Sequence, residues 1–509
     1  MSNKRSLNNN LRNALILTEG GKKFGFGHLT RSLAFVQGLQ QHRTVKNPKI
    51  SFVVNGDQMA QKFLRKQGIR PILLDWVRYR EKISESIKTA DLILIDSYQA
   101  PAALYSFIAR LNPQAVVLAI DDFKRIDYDA DLVINPSVYG DQIHYPKNVY
   151  GKGRPQYALG KDYIIIRREF WPREKKIIHR EIKNILITLG GMEHGRLMER
   201  ISRFISKNYP SFKLHVVTAQ NNLKFKTQNV KFYSNLSAIA IKKLFGQTDL
   251  CISGSGQTLY ELVRCGTPTL GICLADNQQW NAKYFYRYGF IEYLGRAQDQ
   301  RLFTHLKRGI QKMTSPILRK RKSFLGQQLV DGRGVERILA ISNQLQKEKA
   351  MILRPARWED CRDVWRWRNH SQVRKEAFQS RLISYADHQK WFKRVMKSEH
   401  VRLYIAENLK KEKIGQARFD MDCRGVSFIS TNLNPKFFGR RLGGRLIKAA
   451  TENFLKENPQ NKDVLAEIKR KNIISQKAFA KADYQFFKRG HKNGQPITTY
   501  IFRGDHGRN

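Results

Sequence analysis

Cysteine is scarce in this sequence, and none of it is placed for chemistry. Five occur in 509 residues, at Cys251, Cys265, Cys273, Cys361 and Cys423. They are far apart and form no CxxC pair, which excludes a disulfide framework and a cysteine zinc site. They read as small core residues. Long apolar runs are missing as well: none reaches the ~18 residues of a membrane span. The stretch Ala14–Leu17, after the polar MSNKRSLNNNLRN, is too short for a signal-peptide core, so the expected location is cytoplasmic. There is no repeat of about 20–50 residues and no low-complexity tract. No metal is expected. Acidic residues are few, 43 against 92 Lys+Arg, a net charge of +49. That excess first suggests a polyanion binder. The basic residues are spread through the whole chain, however, as at Lys307-Arg308, Arg319–Lys322 and Lys410-Lys411. They are not gathered with interleaved aromatics, so nucleic acid is not the expected partner. Hydrophobic residues are 41% and aromatics 11%, enough for buried cores and too many for a disordered basic tail.

The length suggests about three domains at roughly 150 residues each. Ala14–Thr18, Lys49–Val54, Asp91–Asp96 and Ala115–Ile120 are continuous apolar runs between helical stretches. Such runs point to a parallel sheet covered on both faces. The pattern restarts with Asn184–Gly190, Leu214–Thr218, Val230–Phe232 and Leu250–Ser253. Residues 11–165 and 166–345 therefore read as two doubly wound, Rossmann-like units. A third unit, 351–505, has Arg402–Glu407, Lys413–Phe419 and Gly425–Ser430 as successive strands with no room for crossover helices. These must pair antiparallel, in a different α/β fold.

Three loops carry the candidate chemistry. The first, Gly20–His28, is glycine-rich and opens a helix, which favours a phosphate or a close ligand approach. His28 sits at the helix start, where the dipole is expected to lower its pKa and keep it neutral, as a general base requires; a capping or core histidine is the alternative. The second runs from a strand into Gly254-Ser255-Gly256 and a helix with Thr258 and Glu261. Its amides are placed for a diphosphate. Glu261 is placed either for both hydroxyls of a ribose or to compensate the helix dipole. Asn277 and Gln278 are placed to bond a sugar or to cap the next helix. The third, Phe437-Phe-Gly-Arg440-Arg441-Leu442-Gly443-Gly444-Arg445, follows a strand and opens an apolar-periodic helix, an anion site of the same type.

Together, Gly25–Arg31, Ile120–Phe123, Leu132–Pro136, Tyr157–Gly160, Arg167–Phe170, Gly254–Gln278 and Asp331–Gly334 resemble the PseG family of UDP-sugar hydrolases of pseudaminic acid biosynthesis. Relatives of that family are SpsG and the GT-B glycosyltransferase MurG. The resemblance covers about residues 11–345. It implies a GT-B fold of two Rossmann-like domains, with UDP held mainly by the second, and water attack at the anomeric carbon. The family's proposed base falls on His28, in the loop with Gly27, and Tyr98 matches an Asp-x-Tyr loop facing the cleft. Two segments depart from the family's pattern: Thr18-Glu-Gly-Gly21 and Gly190-Gly-Met-Glu-His194.

The third unit resembles GNAT acetyltransferases, in particular the subgroup with RimJ/RimL-type enzymes and PseH. Trp367-Arg-Asn369, His388–Phe392, the arginine-glycine loop, and Asn472 with Ser475 carry the likeness. It implies acetyl-CoA as co-substrate, bound at Arg440–Arg445 and Asn472. One loop glycine is replaced, and Phe479 stands where many GNATs have a tyrosine acid. His388 and Glu407 remain as candidates to take the amine proton or as structural residues. PseH-like acetylation and PseG-like removal of UDP are consecutive steps, so the expected partners are a UDP-linked amino sugar and acetyl-CoA. The alternative is a GT-B glycosyltransferase joined to a sugar or protein acetyltransferase.

Overall fold

The computed structural model describes residues 11–42, 47–146, 155–190, 194–218, 229–234, 236–422, 425–440 and 442–504. Cys423, Arg441 and the segment 191–193 lie outside the described residues. The described chain divides into two compact units, one up to Asn343 and one from Gln344 on.

The first unit holds two parallel sheets. One is ordered β3-β2-β1-β4-β5-β6-β7, with β1 Asn13–Gly20, β2 Lys49–Gly56, β3 Ile72–Leu73, β4 Leu92–Asp96, β5 Val116–Ile120, β6 Leu132–Asn135 and β7 Gln156–Leu159. The other is ordered β10-β9-β8-β11-β12-β13, with β8 Asn184–Thr188, β9 Lys213–Val217, β10 Val230–Tyr233, β11 Leu250–Gly254, β12 Thr269–Cys273 and β13 Ile291–Arg296. Each order reverses beside its first strand, between β1 and β4 and between β8 and β11. In such sheets the crevice for a ligand lies outside the carboxyl ends at that point. The apolar runs follow from burial on both faces: all residues of β4 and β5 are buried.

The segment linking the sheets is packed into the second one. Val138, Tyr139, Ile164, Ile166 and Phe170 share a core with Leu259, Leu262, Val263 and Phe285. Gly334 shows how close this packing is, because a Cβ there would stand 2.2 Å from the Ile164 carbonyl oxygen. Part of the basic excess is internal as well. Arg264 donates to the carbonyls of Phe170, Trp171 and Val330, and Arg319 to those of Met313 and Arg180. Lys322 donates to Gly289 and Ile291. These cations terminate chain segments that would otherwise bury unpaired carbonyls.

The second unit is one sheet ordered β14-β15-β16-β17-β18-β20-β19, with β14 Ile352–Pro355, β15 Val401–Glu407, β16 Lys413–Met421, β17 Val426–Leu433, β18 Asp463–Lys469, β19 Gln485–Lys492 and β20 Gln495–Arg503. β15, β16 and β17 pair antiparallel, as consecutive strands with short turns must. β17 and β18 pair parallel, and only through Val426–Phe428 and Asp463–Leu465. Past those residues the two strands part.

Candidate functional site

The first half gathers charged side chains at the carboxyl ends of its central strands. β1 brings Glu19, β4 ends in Asp96, and Asp122 follows β5. His28 and Arg31 face them from the first turns of the helix Gly27–Gln41. Asp96 Oδ1 accepts from His28 Nδ1 at 2.6 Å. Arg31 Nε and Nη2 donate to the same carboxylate at 2.9 and 2.7 Å, and Nη1 donates to both oxygens of Asp122 at 2.9 and 3.1 Å. Tyr98 Oη donates to Asp122 Oδ2 at 2.5 Å, and its ring meets the His28 ring edge-on at 4.5 Å. Glu19 accepts from the Tyr98 amide and the Ser97 hydroxyl, which leaves its Oε1 3.6 Å from His28 Nε2. Gly27, by contrast, is exposed with open space beside its Cα.

This cluster corrects the expectation for His28. The helix terminus does not set its charge. Burial opposes protonation, but the Asp96 carboxylate and its hydrogen bond, helped by Glu19, outweigh burial and Arg31, and the pKa is raised above 6.5. Asp96 is held well below the usual carboxylate range: burial favours its acid form, and Arg31 with His28 more than reverses that. The pairing directs Nδ1–H at Asp96 and leaves Nε2 with the lone pair, the arrangement of an oriented base.

The second half presents mostly backbone. Gly254 and Ser255 are buried at the end of β11. The Ser255 amide is already engaged, by the Ile272 carbonyl at 3.0 Å and Gln278 Oε1 at 3.1 Å, so it is not open to a diphosphate as the loop spacing suggested. Gly256 and the first helical amides, at Gln257 and Thr258, stand before the helix's own carbonyls can reach them. Gln278 also accepts from Leu274 and clasps the turn, while Asn277 is exposed. Glu261 differs from the expected open ribose acceptor. It is 2% exposed, and both its oxygens take Arg167, from Nε and Nη2, each at 2.7 Å.

The same helix holds the linking segment along one face. Gln257 donates to Ile165, Arg264 to Phe170 and Trp171, and Tyr260 Oη accepts from the Val138 amide while donating to Asn281 at 2.6 Å. Residues 257, 260, 261 and 264 follow helical spacing, so the open amides at the helix start and the tie to the linking segment belong to one helix.

In the second unit, Gly443 and Gly444 open the helix Leu442–Glu457. A Cβ at Gly443 would meet nothing nearer than 3.7 Å, whereas one at Gly444 would stand 3.0 Å from the Ala478 carbonyl. A side chain at Gly443 would begin in ordinary contact with Leu433 and Ala478, and Gly444 lets two helices touch. Arg440 lies over the Phe437 ring at 5.2 Å. The Arg445 side chain is buried and donates to the Lys349 carbonyl. Asn472 caps the next helix, its Oδ1 taking the Ser475 amide at 3.0 Å. Phe479 is buried edge-on to Tyr484 at 5.0 Å. Glu407 pairs with Arg354 at 2.6 Å, beside Asp360. His388 is buried among Trp391 and Phe392, and burial pushes its pKa down to about 4. Both proton-acceptor candidates are therefore packed into the structure.

Sequence reasoning missed Glu19, Arg31, Asp96 and Asp122 as one site. The available signal was an acid closing each of three apolar strand runs, at the edge where doubly wound sheets bind ligands. Among the described residues no group of His, Cys, Asp or Glu is arranged to hold a metal, and no helix is long and apolar enough to cross a membrane.

Comparison with known proteins agrees with this division. Residues 350–485 match the acetyltransferase (GNAT) domain model. The N-terminal part is similar to the spore coat polysaccharide biosynthesis protein SpsG of Bacillus subtilis, 29% identical over 352 residues, covering 66% of this chain and 98% of that protein. It is also similar to the Helicobacter pylori pseudaminic acid cytidylyltransferase and UDP-2,4-diacetamido-2,4,6-trideoxy-beta-L-altropyranose hydrolase, 31% identical over 239 residues, covering 45% of this chain and 43% of that one. The Methanocaldococcus jannaschii protein MJ1062 is similar almost end to end, 24% identical over 512 residues, covering 94% of this chain and 98% of its own. The chain thus joins a part with SpsG and PseG-like homologues to a GNAT acetyltransferase domain.

Proposed function

We propose that the chain is a bifunctional nucleotide-sugar enzyme of pseudaminic acid biosynthesis. In this reading the second unit acetylates the 4-amino group of UDP-4-amino-4,6-dideoxy-β-L-AltNAc with acetyl-CoA. The first unit then hydrolyses UDP-2,4-diacetamido-2,4,6-trideoxy-β-L-altropyranose to UDP and the free sugar. The observation that carries the hydrolase half is the His28–Asp96 pair at the strand ends, an oriented base with a raised pKa. The similarity to the Helicobacter pylori hydrolase supports the substrate.

His28 Nε2 takes a proton from water as the water oxygen bonds to the anomeric carbon. The bond from that carbon to the phosphate oxygen breaks, and UDP leaves with the electron pair. Asp96 keeps the imidazolium oriented and paired. UDP is a good leaving group once its charge is met, so the carboxylate pair of ordinary glycosidases is not required. The Gly256–Thr258 turn supplies amides for the diphosphate.

The parting of β17 from β18 fits acetyl-CoA, with the helix start at Gly443 and Gly444 and the Arg440 side chain at its diphosphate. Bound there, it supplies the acetyl thioester. The residues around it align the amine against the thioester, which is itself a large rate effect. An SpsG-like role in polysaccharide synthesis is the second reading, favoured by similarity along nearly all of SpsG. Mass spectrometry of products from the purified protein with UDP-4-amino sugar and acetyl-CoA separates the two. The proposal expects CoA and UDP release without any glycosyl acceptor. Turnover that begins only when an acceptor is added supports the transferase reading instead.

A further inference from the structure

The proposed reaction leaves Trp280 unused. It lies on the first turn of the helix Gln279–Arg287 and is 45% exposed. The ring is braced from behind: it stacks on Tyr284 with centroids 5.9 Å apart at 18°, and meets Tyr139 at 5.8 Å. The Lys283 ammonium lies 5.5 Å from its centre. An indole fixed in this way, with part of its surface open, is suited to a partly apolar ligand.

Its neighbours locate it. Tyr139 comes from the loop after β6 in the first half and is buried; that loop is tied to the His28 cluster through Asn135, which accepts from the Ser137 amide at 3.2 Å and donates to the Asp122 carbonyl at 3.3 Å. On the other side, the next residue, Asn281, donates to the Ser255 carbonyl at 3.2 Å, and Gln278 holds the Ser255 amide. Trp280 therefore lies between the loop tied to Asp122 and the turn that, on the hydrolase reading, faces the diphosphate. In a nucleotide sugar that interval belongs to the hexose.

We infer that Trp280 is the stacking platform for the sugar ring and selects hexoses whose outer face is apolar, such as 6-deoxy sugars with acetamido groups. Carbon-bound hydrogens carry slight positive charge and pack on the negative face of an indole. A hydroxyl at C6 would lose water there without a partner. This inference rests on the hydrolase reading and deepens it from reaction to substrate selection. Because discrimination by an apolar surface is modest, the expected effect is about tenfold.

The test compares wild type, Trp280→Ala and Trp280→Phe by calorimetry with UDP alone, the same three at position 280 in a His28→Ala background by calorimetry with UDP-sugars, so that the sugar is bound without being hydrolysed, and the three active proteins by steady-state UDP release. Trp280→Ala is expected to weaken binding of the 6-deoxy diacetamido UDP-sugar about tenfold and raise KM in parallel. UDP binding should be unchanged, and Trp280→Phe should restore most of the loss. Wild type should prefer the 6-deoxy sugar over its 6-hydroxy counterpart, and Trp280→Ala should lose that preference. Unchanged sugar binding in Trp280→Ala overturns the inference, as does an equal loss for UDP alone. Absence of UDP release by wild type counts against the hydrolase reading itself, while the binding comparison still decides the role of Trp280.

Discussion

The two parallel sheets of the first unit share a strand order and differ in what they put at their carboxyl ends. The first places five ionisable side chains there, Glu19, His28, Arg31, Asp96 and Asp122, nearly all buried and each paired. The second places a glycine-serine turn with backbone amides, and the buried acid on the helix that follows, Glu261, is tied to Arg167. Under the proposed function, one architecture would serve two tasks: paired side chains with set charge states would move a proton, and backbone dipoles at a helix end would hold an anion.

The contrast is most exposed to a change at His28. His28→Ala should lower UDP release by about 10²–10⁴-fold while leaving acetyl transfer intact, measured on one sample by separate UDP and CoA assays. Asp96→Asn follows in size. The base must be neutral to accept a proton, and its pKa is raised, so wild-type UDP release should climb through a pH above 6.5. Asparagine removes the charge that raises it, so the limb should move to lower pH while kcat falls. A limb that stays in place would show that Asp96 does not govern His28.

In the second half the expected effects concern stability and binding. Arg167→Ala leaves Glu261 buried without its cation, which should destabilise the first unit by about 3 kcal/mol in urea unfolding. Gly256→Ala is milder. The added methyl stands 3.4 Å from the Gln278 amide, which has room to adjust, so UDP affinity should fall several-fold with kcat nearly unchanged. Smallest is the effect of Gly443→Glu on the first unit: acetyl transfer should collapse while UDP release is unaltered.

Sequence legibility followed the same line. The doubly wound strands were readable because burial on both faces demands continuous apolar runs. The loops at Gly20–His28 and Gly254–Gln278 were readable because a helix start beside glycines has a local signature. The ionic cluster was not, because His28 and Asp96 are 68 residues apart and Arg31 and Asp122 are 91 apart; only the sheet order brings them together. The charge of His28 was misread for that reason: the helix end is visible in sequence, and the carboxylate that outweighs it is not. Arg445 and Asn472 were read from position in a motif, and the contacts they make within the fold, to the Lys349 carbonyl and as a helix cap, were not legible there. A small part of the +49, which first suggested a polyanion binder, serves the fold itself: Arg264, Arg319 and Lys322 donate to carbonyls within it.

Hydrolysis of the UDP-sugar in water enriched in ¹⁸O tests the central claim most directly, with no glycosyl acceptor present and with His28→Ala run in parallel. If water attacks the anomeric carbon with His28 as base, wild type releases UDP carrying no ¹⁸O, and the variant releases almost none. Heavy oxygen in the β-phosphate of UDP, or equal release by His28→Ala, would contradict the account.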